Sequence, residues 1–313
     1  MSVAERIRLA IFLFFILLIV FGELAVIIAW IKEKRGGDIK GNQFAKPLVR
    51  ALFTSLFSIL ALSSLYAYFI EPYWLNLSRI RLETPKLKKG SKLILVQLSD
   101  IHSKGLGKNE KRIPDIVNSL KPDIICLTGD YINDINAVNA VKEMIAKLKA
   151  KYGIFCVRGN WDLAIAPDTD IFQGLPLQML EGEIRRIKVQ GGTIFIVGLD
   201  IQDDISTLSH LLAFKKPGDF TLLLYHYPDL ADELKGLPID LYLCGHTHGG
   251  QIAIPFYGAI LTLCKTGKKY ERGLYKIGET ILYVNRGIGT EGLPLRFFSP
   301  PEIAILEIVG TGK

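Results

Sequence analysis

Sulfur and histidine are both scarce in this 313-residue chain, which holds four cysteines and five histidines. The cysteines, Cys126, Cys156, Cys244 and Cys264, show neither the close pairing of a thiolate zinc site nor the density of a disulfide framework. The first three fall in apolar runs that read as core strands, where a free thiol behaves as a small hydrophobe. Cysteine usage leaves the redox compartment open. Internal repeats and low-complexity tracts are absent, and so is any basic stripe interleaved with aromatics. The formal net charge of +7 therefore does not point to nucleic acid. Charge is itself missing from residues 51–70, and residues 9–31 contain only Glu23.

Those two apolar stretches are long enough to be membrane spans, since roughly 20 helical residues cross a bilayer core about 30 Å thick. The first is too long for an ordinary signal-peptide core and lacks a small-x-small cleavage site. Both precede the first strand of the downstream region, which argues against buried core helices. Residues 1–75 are expected to form an anchor with two transmembrane helices, at about 9–31 and 51–70. Glu23 must then face its partner helix, water or a headgroup region. The basic residues gather around the same stretches: Lys32, Lys34, Arg35, Lys40, Lys46 and Arg50 between them, and Arg79, Arg81, Lys86, Lys88 and Lys89 after them. Anionic lipid surfaces select that placement. With Arg6 and Arg8 added on the N-terminal side, the count is six against seven, so the side on which the downstream region lies stays open. The location implied is the inner cell membrane, with a multi-pass anchor. Two spans carrying one glutamate give no transport pathway, which excludes a channel or transporter subunit.

After a basic linker at 76–91, residues 92–313 read as one α/β domain. KLILVQL, DIICLT and GIFCVR are short apolar runs separated by helical periods near 109–120 and 136–151, a βαβαβ opening. Further strands are expected at 184–190, 193–199, 220–226, 240–245, 251–254, 281–285 and 303–308. The fold class is α/β, with two packed mixed β-sheets flanked by helices.

The strand ends carry the chemistry. The first strand ends in Asp100 and His102 (SDIH), the second in Asp130 (TGDYIND), and the third in Asn160 (RGNWD). Later strands end in His226 (LLLYHYP) and in His246 and His248 (LCGHTHGG). A lone histidine at a strand end is usually structural. Here four of five fall at strand ends beside turn glycines, with two aspartates and an asparagine, while His210 lies in a helical stretch and reads as structural. In open α/β sheets the carboxyl-end loops line the ligand crevice, so all seven can converge. Imidazole and carboxylate without thiolate suit manganese, iron or zinc. Seven donors exceed the need of one tetrahedral ion and suit two divalent ions sharing a carboxylate, the arrangement that clamps an in-line displacement at phosphorus.

The ordered set D-x-H, G-D, G-N-x-D, H and G-H-x-H resembles the calcineurin-like metallophosphoesterase superfamily over residues 92 to about 309. The anchor and the ending NRGIGTEGLPLRFFSPPEI look like its membrane-associated bacterial branch, typified by YkuE and YaeI. The resemblance implies that Asp100, His102, Asp130 and His248 hold one metal, and that Asp130 bridges to a second held by Asn160, His226 and His246. It also implies a metal-bridging hydroxide as nucleophile, with Asp100, Asp130, Asn160 and His246 as catalytic members. Two departures stand out. Asp134 lies four residues after Asp130, where the family often has an aspartate at three, and is given no ligand role. Trp161 replaces the usual motif histidine, often credited with protonating the leaving group. A pyrophosphate bond would suffer less from that loss, and the branch that cleaves UDP-diacylglucosamine also lacks the histidine. Asp162 either orients neighbours or caps the next turn. Arg286 and Arg296 are candidates for substrate phosphate. Phe297 and Phe298, with Leu293 and Leu295, form either an apolar lip or core.

The function expected is hydrolysis of a phosphodiester or pyrophosphate bond in a lipid-linked or envelope substrate. UDP-2,3-diacylglucosamine pyrophosphatase is the alternative. A tethered binding protein with a degenerate site is the non-enzyme reading. Expected partners are a phosphate-containing, lipid-linked substrate and membrane lipids. Nothing in the sequence calls for nucleic acid or an obligate protein partner.

Overall fold

The computed structural model describes residues 3–36, 46–167 and 170–313. Helix α1 (Val3–Lys34) and helix α2 (Pro47–Phe69) lie side by side. Pro47 opens α2, where its fixed φ and missing N–H cost nothing. Ser58 Oγ donates to Glu23 Oε1 at 3.0 Å, and Arg50 pairs with Glu33, so Glu23 faces the partner helix. Gly22 lets the Phe57 ring sit against the α1 backbone. Among the described residues, the segment Pro47–Tyr73 is the one helix long and apolar enough to cross a membrane. Lys40, counted among the basic residues between the helices, lies outside the described residues.

Residues 76–91, expected as a basic linker, instead carry β1 (Asn76–Lys88), an edge strand. Then follow β2 (Lys92–Leu98), α3 (Lys108–Ser119), β3 (Ile124–Thr128), α4 (Val138–Ala146), β4 (Ile154–Val157), α5 (Asn160–Ile165) and β5 (Gln178–Met179). The second half holds β6 (Glu183–Val189), β7 (Gly192–Gly198), α6 (Ile205–Leu212), β8 (Phe220–Leu224), β9 (Leu241–Cys244), β10 (Ala253–Ile254), β11 (Gly258–Ala259), β12 (Gly273–Ile277), β13 (Thr280–Val284) and β14 (Glu302–Gly312).

These strands build two six-stranded mixed sheets, ordered β1-β14-β2-β3-β4-β5 and β12-β13-β9-β8-β7-β6, with β10 and β11 as a separate ribbon. In the first, β2, β3, β4 and β5 run parallel and β14 is antiparallel to β2. In the second, β7, β8, β9 and β13 run parallel. Leu95, Ile124, Cys126 and Phe155 of the first sheet meet Ile196, Leu222, Leu224 and Leu243 of the second in a dry layer. Each such side chain contributes roughly 1.5–3 kcal/mol by burial. The outer face of the first sheet packs on α3 and α4 through Ile113, Val117, Val141 and Ile145, and α6 covers the second through Leu208 and Leu211. Continuous apolar runs in the central strands reflect burial on both faces. Cys126, Cys156 and Cys244 are buried in β3, β4 and β9.

No linker separates α2 from this body. Its last turn is bonded to it directly, Arg296 N to Ala67 O at 2.9 Å, with Tyr66 edge-on to Phe297. The buried Glu71 carboxylate accepts from Phe298 N and Ser299 N.

Candidate metal centre and active site

Each parallel strand hands its loop to the same edge of the sandwich. The loops after β2 and β3 continue the ladder beyond the strands, through Asp100 N to Gly129 O, His102 N to Asp130 O and Ser103 N to Tyr131 O. Asp100, His102, Asp130, His246 and His248 all have φ between 44° and 69°. A non-glycine residue there costs about 1–3 kcal/mol, a strain that persists only where the surroundings enforce it and that clusters at functional sites. Gly159 permits the approach of the Asp130 carboxylate, since any Cβ would collide with it.

The donors of Asp100, His102 and His248 lie within 4.8 Å of one another, as do those of Asp130, His226 and His246. Asp130 Oδ2 stands between the groups, 3.5 Å from His102 Nε2 and 3.2 Å from His226 Nε2. Asn160 Oδ1 lies 3.2 Å from His226 Nε2, His246 Nδ1 3.2 Å from the same atom, and His248 Nε2 3.0 Å from His102 Nε2. All seven strand-end residues from the sequence are thereby brought together, as two candidate metal-binding groups that meet at one carboxylate.

The outward ring nitrogens fix which atom points in. His102 Nδ1 faces Asn133 Oδ1 at 2.6 Å, His226 Nδ1 faces Thr128 O at 2.7 Å, and His246 Nε2 faces Leu263 O at 3.1 Å. Each is an acceptor, so the ring donates outward and turns its other nitrogen toward the carboxylates. Burial holds His102 and His248 below the usual imidazole range and, with His226 nearby, lowers His246 to about 4. These three are neutral near pH 7, the form that binds a cation. His226 goes the other way: burial would lower it, but the adjoining Asp130 lifts it to about 10. Asp130 falls to about 2, because His226 and His102 outweigh the upward effect of burial. The donor set, with three neutral rings and a central carboxylate, fits two divalent ions. They are what Lewis-acid chemistry at phosphorus requires.

The sequence model of the calcineurin-like phosphoesterase family matches residues 94–250. The chain belongs to that family. This phosphoesterase is 33% identical over 267 residues to YkuE of Bacillus subtilis, named an uncharacterised metallophosphoesterase, covering 79% of this chain and 90% of that one. It is 29% identical over 264 residues to the phosphodiesterase YaeI of Escherichia coli, covering 78% and 92%. It is also 28% identical over 313 residues to LpxG of Chlamydia muridarum, named a UDP-2,3-diacylglucosamine pyrophosphatase, covering 81% and 95%. Family and relatives together make the chain a hydrolase of phosphoric esters.

Other positions in the phosphoesterase differ from the sequence reading. Arg296 is fully buried, and its guanidinium donates to Gly289 O, Ser299 O and Arg286 O while Nη2 lies 3.3 Å from His248 Nδ1. It braces His248 of the candidate metal centre, with its donors spent inside the protein. Arg286 is clasped by Glu302 and Ser78. The Arg296 guanidinium is therefore not directed to open space, while Arg286 stays partly exposed. Asp162 both orients and caps: its carboxylate accepts from Asp130 N, Tyr131 N and Gly159 N, and it sits in the first turn of α5. Asp134 caps the turn Ile135–Ala137, so it has a structural task. Leu295 is core, Leu293 half-buried and Phe298 exposed. Trp161 donates its backbone N–H to Asp130 Oδ1 at 2.8 Å and lays its ring edge-on to His102. With Asn160, Tyr227, Asp229 and His246 it lines a cavity of about 860 Å³ beside the donors. Asn133, which the sequence reading passed over, sits three residues after Asp130, where the family often has aspartate, and the D-to-N change concealed it.

Proposed function

We propose that this chain is a membrane-anchored phosphoesterase requiring two divalent ions, and that it cleaves a phosphodiester or pyrophosphate bond in a lipid-linked substrate. The observation that carries the reading is Asp130 Oδ2, placed between His102 Nε2 and His226 Nε2. Asp100, His102, Asp130 and His248 would hold one manganese, iron or zinc ion; Asp130, Asn160, His226 and His246 would hold the other. Such ions supply Lewis acidity, lowering the pKa of water and offsetting charge on phosphoryl oxygens. The chain's own residues do the rest. Asp162 locks the Asp130 loop, Asn133, Thr128 and Leu263 orient the rings, and Trp161 shields one wall of the centre from water.

Two transmembrane helices, α1 and α2, are proposed as the anchor, with 92–313 and the added β1 as the catalytic unit. Phe14, Leu17, Phe21, Leu24, Ile28 and Trp30 of α1 are exposed, as are Leu52, Leu56, Ile59, Leu62 and Leu65 of α2, a surface suited to lipid. α2 has 23 residues, about 34 Å of helix, enough for a bilayer core. A reporter fused after residue 90 tests the anchor and gives the side.

UDP-2,3-diacylglucosamine pyrophosphatase is the second reading, favoured by the LpxG relative and by Trp161, which leaves no motif histidine to protonate a poor leaving group. The test is hydrolysis by detergent-purified full-length protein, stripped of metal and reloaded with manganese. Substrates are a nitrophenyl monoester, a nitrophenyl diester and UDP-diacylglucosamine, with Asp130→Asn as the blank. Faster turnover of the nucleotide lipid than of either nitrophenyl ester selects the second reading. Diester activity alone keeps the broader one. Equal activity and metal content in Asp130→Asn would sink both.

A further inference from the structure

An apolar hairpin outside the donor set stands beside the point where α2 leaves the body. Residues 252–263 fold back through β10 and β11, with Phe256 at the turn (φ 67°) and Gly258 (φ 85°) after it. Phe256 is wholly exposed, and Ile254, Tyr257, Ile260, Leu261 and Leu263 are each about half exposed or more. Six large apolar side chains on one short hairpin form a patch that water alone does not favour.

The base of the hairpin is tied to the anchor. Ile252 bridges to Phe297, and Ala253 N donates to Phe297 O at 2.8 Å. Phe297 in turn contacts Tyr66, and its neighbour Arg296 bonds Ala67, both in the last turns of α2. Exposed apolar side chains thus flank this connection on both sides: Phe69 at the end of α2 with Tyr73 and Trp74 just after it, Phe298 beside Phe297, and Ile254 on the hairpin. Tyrosine and tryptophan at a helix end are typical of the bilayer interface. At the hairpin's C-terminal side follow Lys265 and Lys268, with Lys268 bonded to Tyr257 O, a basic flank suited to anionic headgroups, while the neighbouring Lys269 is paired with Asp232. Between hairpin and donors runs a groove of about 350 Å³, with His246 and His248 at one end and Ile252, Ile260 and Leu261 along it.

We propose that the 252–263 hairpin is a third membrane contact, dipping its apolar turn into the headgroup region of the same bilayer that α2 enters. The metal centre then faces the lipid surface, and the groove receives the apolar part of a lipid drawn from it. This rests on the reading that α2 crosses the membrane, which the reporter fusion tests by itself.

The experiment places a nitroxide at Phe256→Cys in full-length protein carrying Cys264→Ser, reconstituted in phosphatidylcholine–phosphatidylglycerol vesicles. The control label is Glu279→Cys, in the exposed turn between β12 and β13. Collision with oxygen should be higher at 256 than at 279, and collision with a water-soluble nickel chelate several-fold lower. Equal exposure of both labels to the chelate overturns the proposal, whatever the hydrolysis assays show. A label at 256 shielded from both reagents, in protein of doubled mass, also overturns it and makes the hairpin an interface between copies. Phe256→Asp supplies an independent check: it should leave hydrolysis of a soluble nitrophenyl diester unchanged and reduce that of a vesicle-borne lipid phosphodiester. Loss of both activities equally would count against the hairpin's role at the surface.

Discussion

At the scale of single residues, the donors are set by neighbours that never touch a cation. Asn133 accepts from the outward nitrogen of His102 and is itself anchored to Thr290 O at 3.1 Å. Losing such a partner usually weakens metal affinity about 10–100-fold. Asn133→Ala is expected to do so, read by competition with a chelating dye, with the fold intact by circular dichroism. Asp162 accepts from three backbone N–H groups, those of Asp130, Tyr131 and Gly159. A buried donor left unpaired costs about 1–3 kcal/mol, so Asp162→Ala should lower the melting temperature by several degrees and loosen metal binding together with it. An unchanged melting temperature would show that water replaces the carboxylate. The convergence of the seven candidate donors was legible because each follows a strand end, and a strand end needs only a short apolar run to locate it. The roles of Arg296 and Arg286 were not legible. Their partners, Gly289, Ser299 and Glu302, come from loops and a strand that meet only in the folded chain, and an arginine with no exposed atoms is rare.

At the scale of elements, β2, β3, β4, β8 and β9 were placed to within a residue or two, since continuous apolar runs such as IICLT and LYLC have no other home, while β14 runs four residues past its expected end. β1 was misread because its charges resemble a membrane flank. Its signal was nonetheless present: Ile80, Leu82 and Thr84 turn inward while Arg79, Arg81 and Glu83 turn outward, a period of two. Outward charge on an edge strand also blocks edge-to-edge association. Pro85 hides the pattern further, and only an edge tolerates it. The pairing of α1 and α2 gives a separate prediction. At Gly22 any side chain would run into the Phe57 ring, and small residues are what allow helices to approach closely in lipid. Gly22→Leu should abolish disulfide cross-linking between cysteines placed at positions 23 and 58, while the cross-link forms readily in the parent background. An efficient cross-link in Gly22→Leu would mean that Phe57 swings aside and that the close approach is not needed.

At the scale of the whole molecule, Glu302 ties the first sheet to the second. Its carboxylate accepts from Arg286, from Tyr283 Oη at 2.7 Å and from Arg286 N at 3.0 Å. Burial alone would raise its pKa, but Arg286 and these donors hold it below the usual glutamate value. A depressed carboxylate contributes stability that is present above its unfolded pKa, near 4.3, and lost as pH falls through the folded value. The melting temperature of the parent protein should therefore exceed that of Glu302→Gln at neutral pH, with the gap narrowing below about pH 4. A gap constant across that window would remove Glu302 ionisation as its source.

The direct seam between α2 and the body has a mechanical consequence. Ala67 O and the Glu71 carboxylate are both bonded to the segment that holds Arg296, and Arg296 braces His248. There is no slack between the helix and the wall of the metal centre. On the proposed reading that α2 spans a bilayer, its tilt, which adjusts to bilayer thickness, would swing the catalytic body with it. In that arrangement a thinner or thicker membrane would change the height and angle at which the body meets a lipid-borne substrate, and lipid composition would enter the rate.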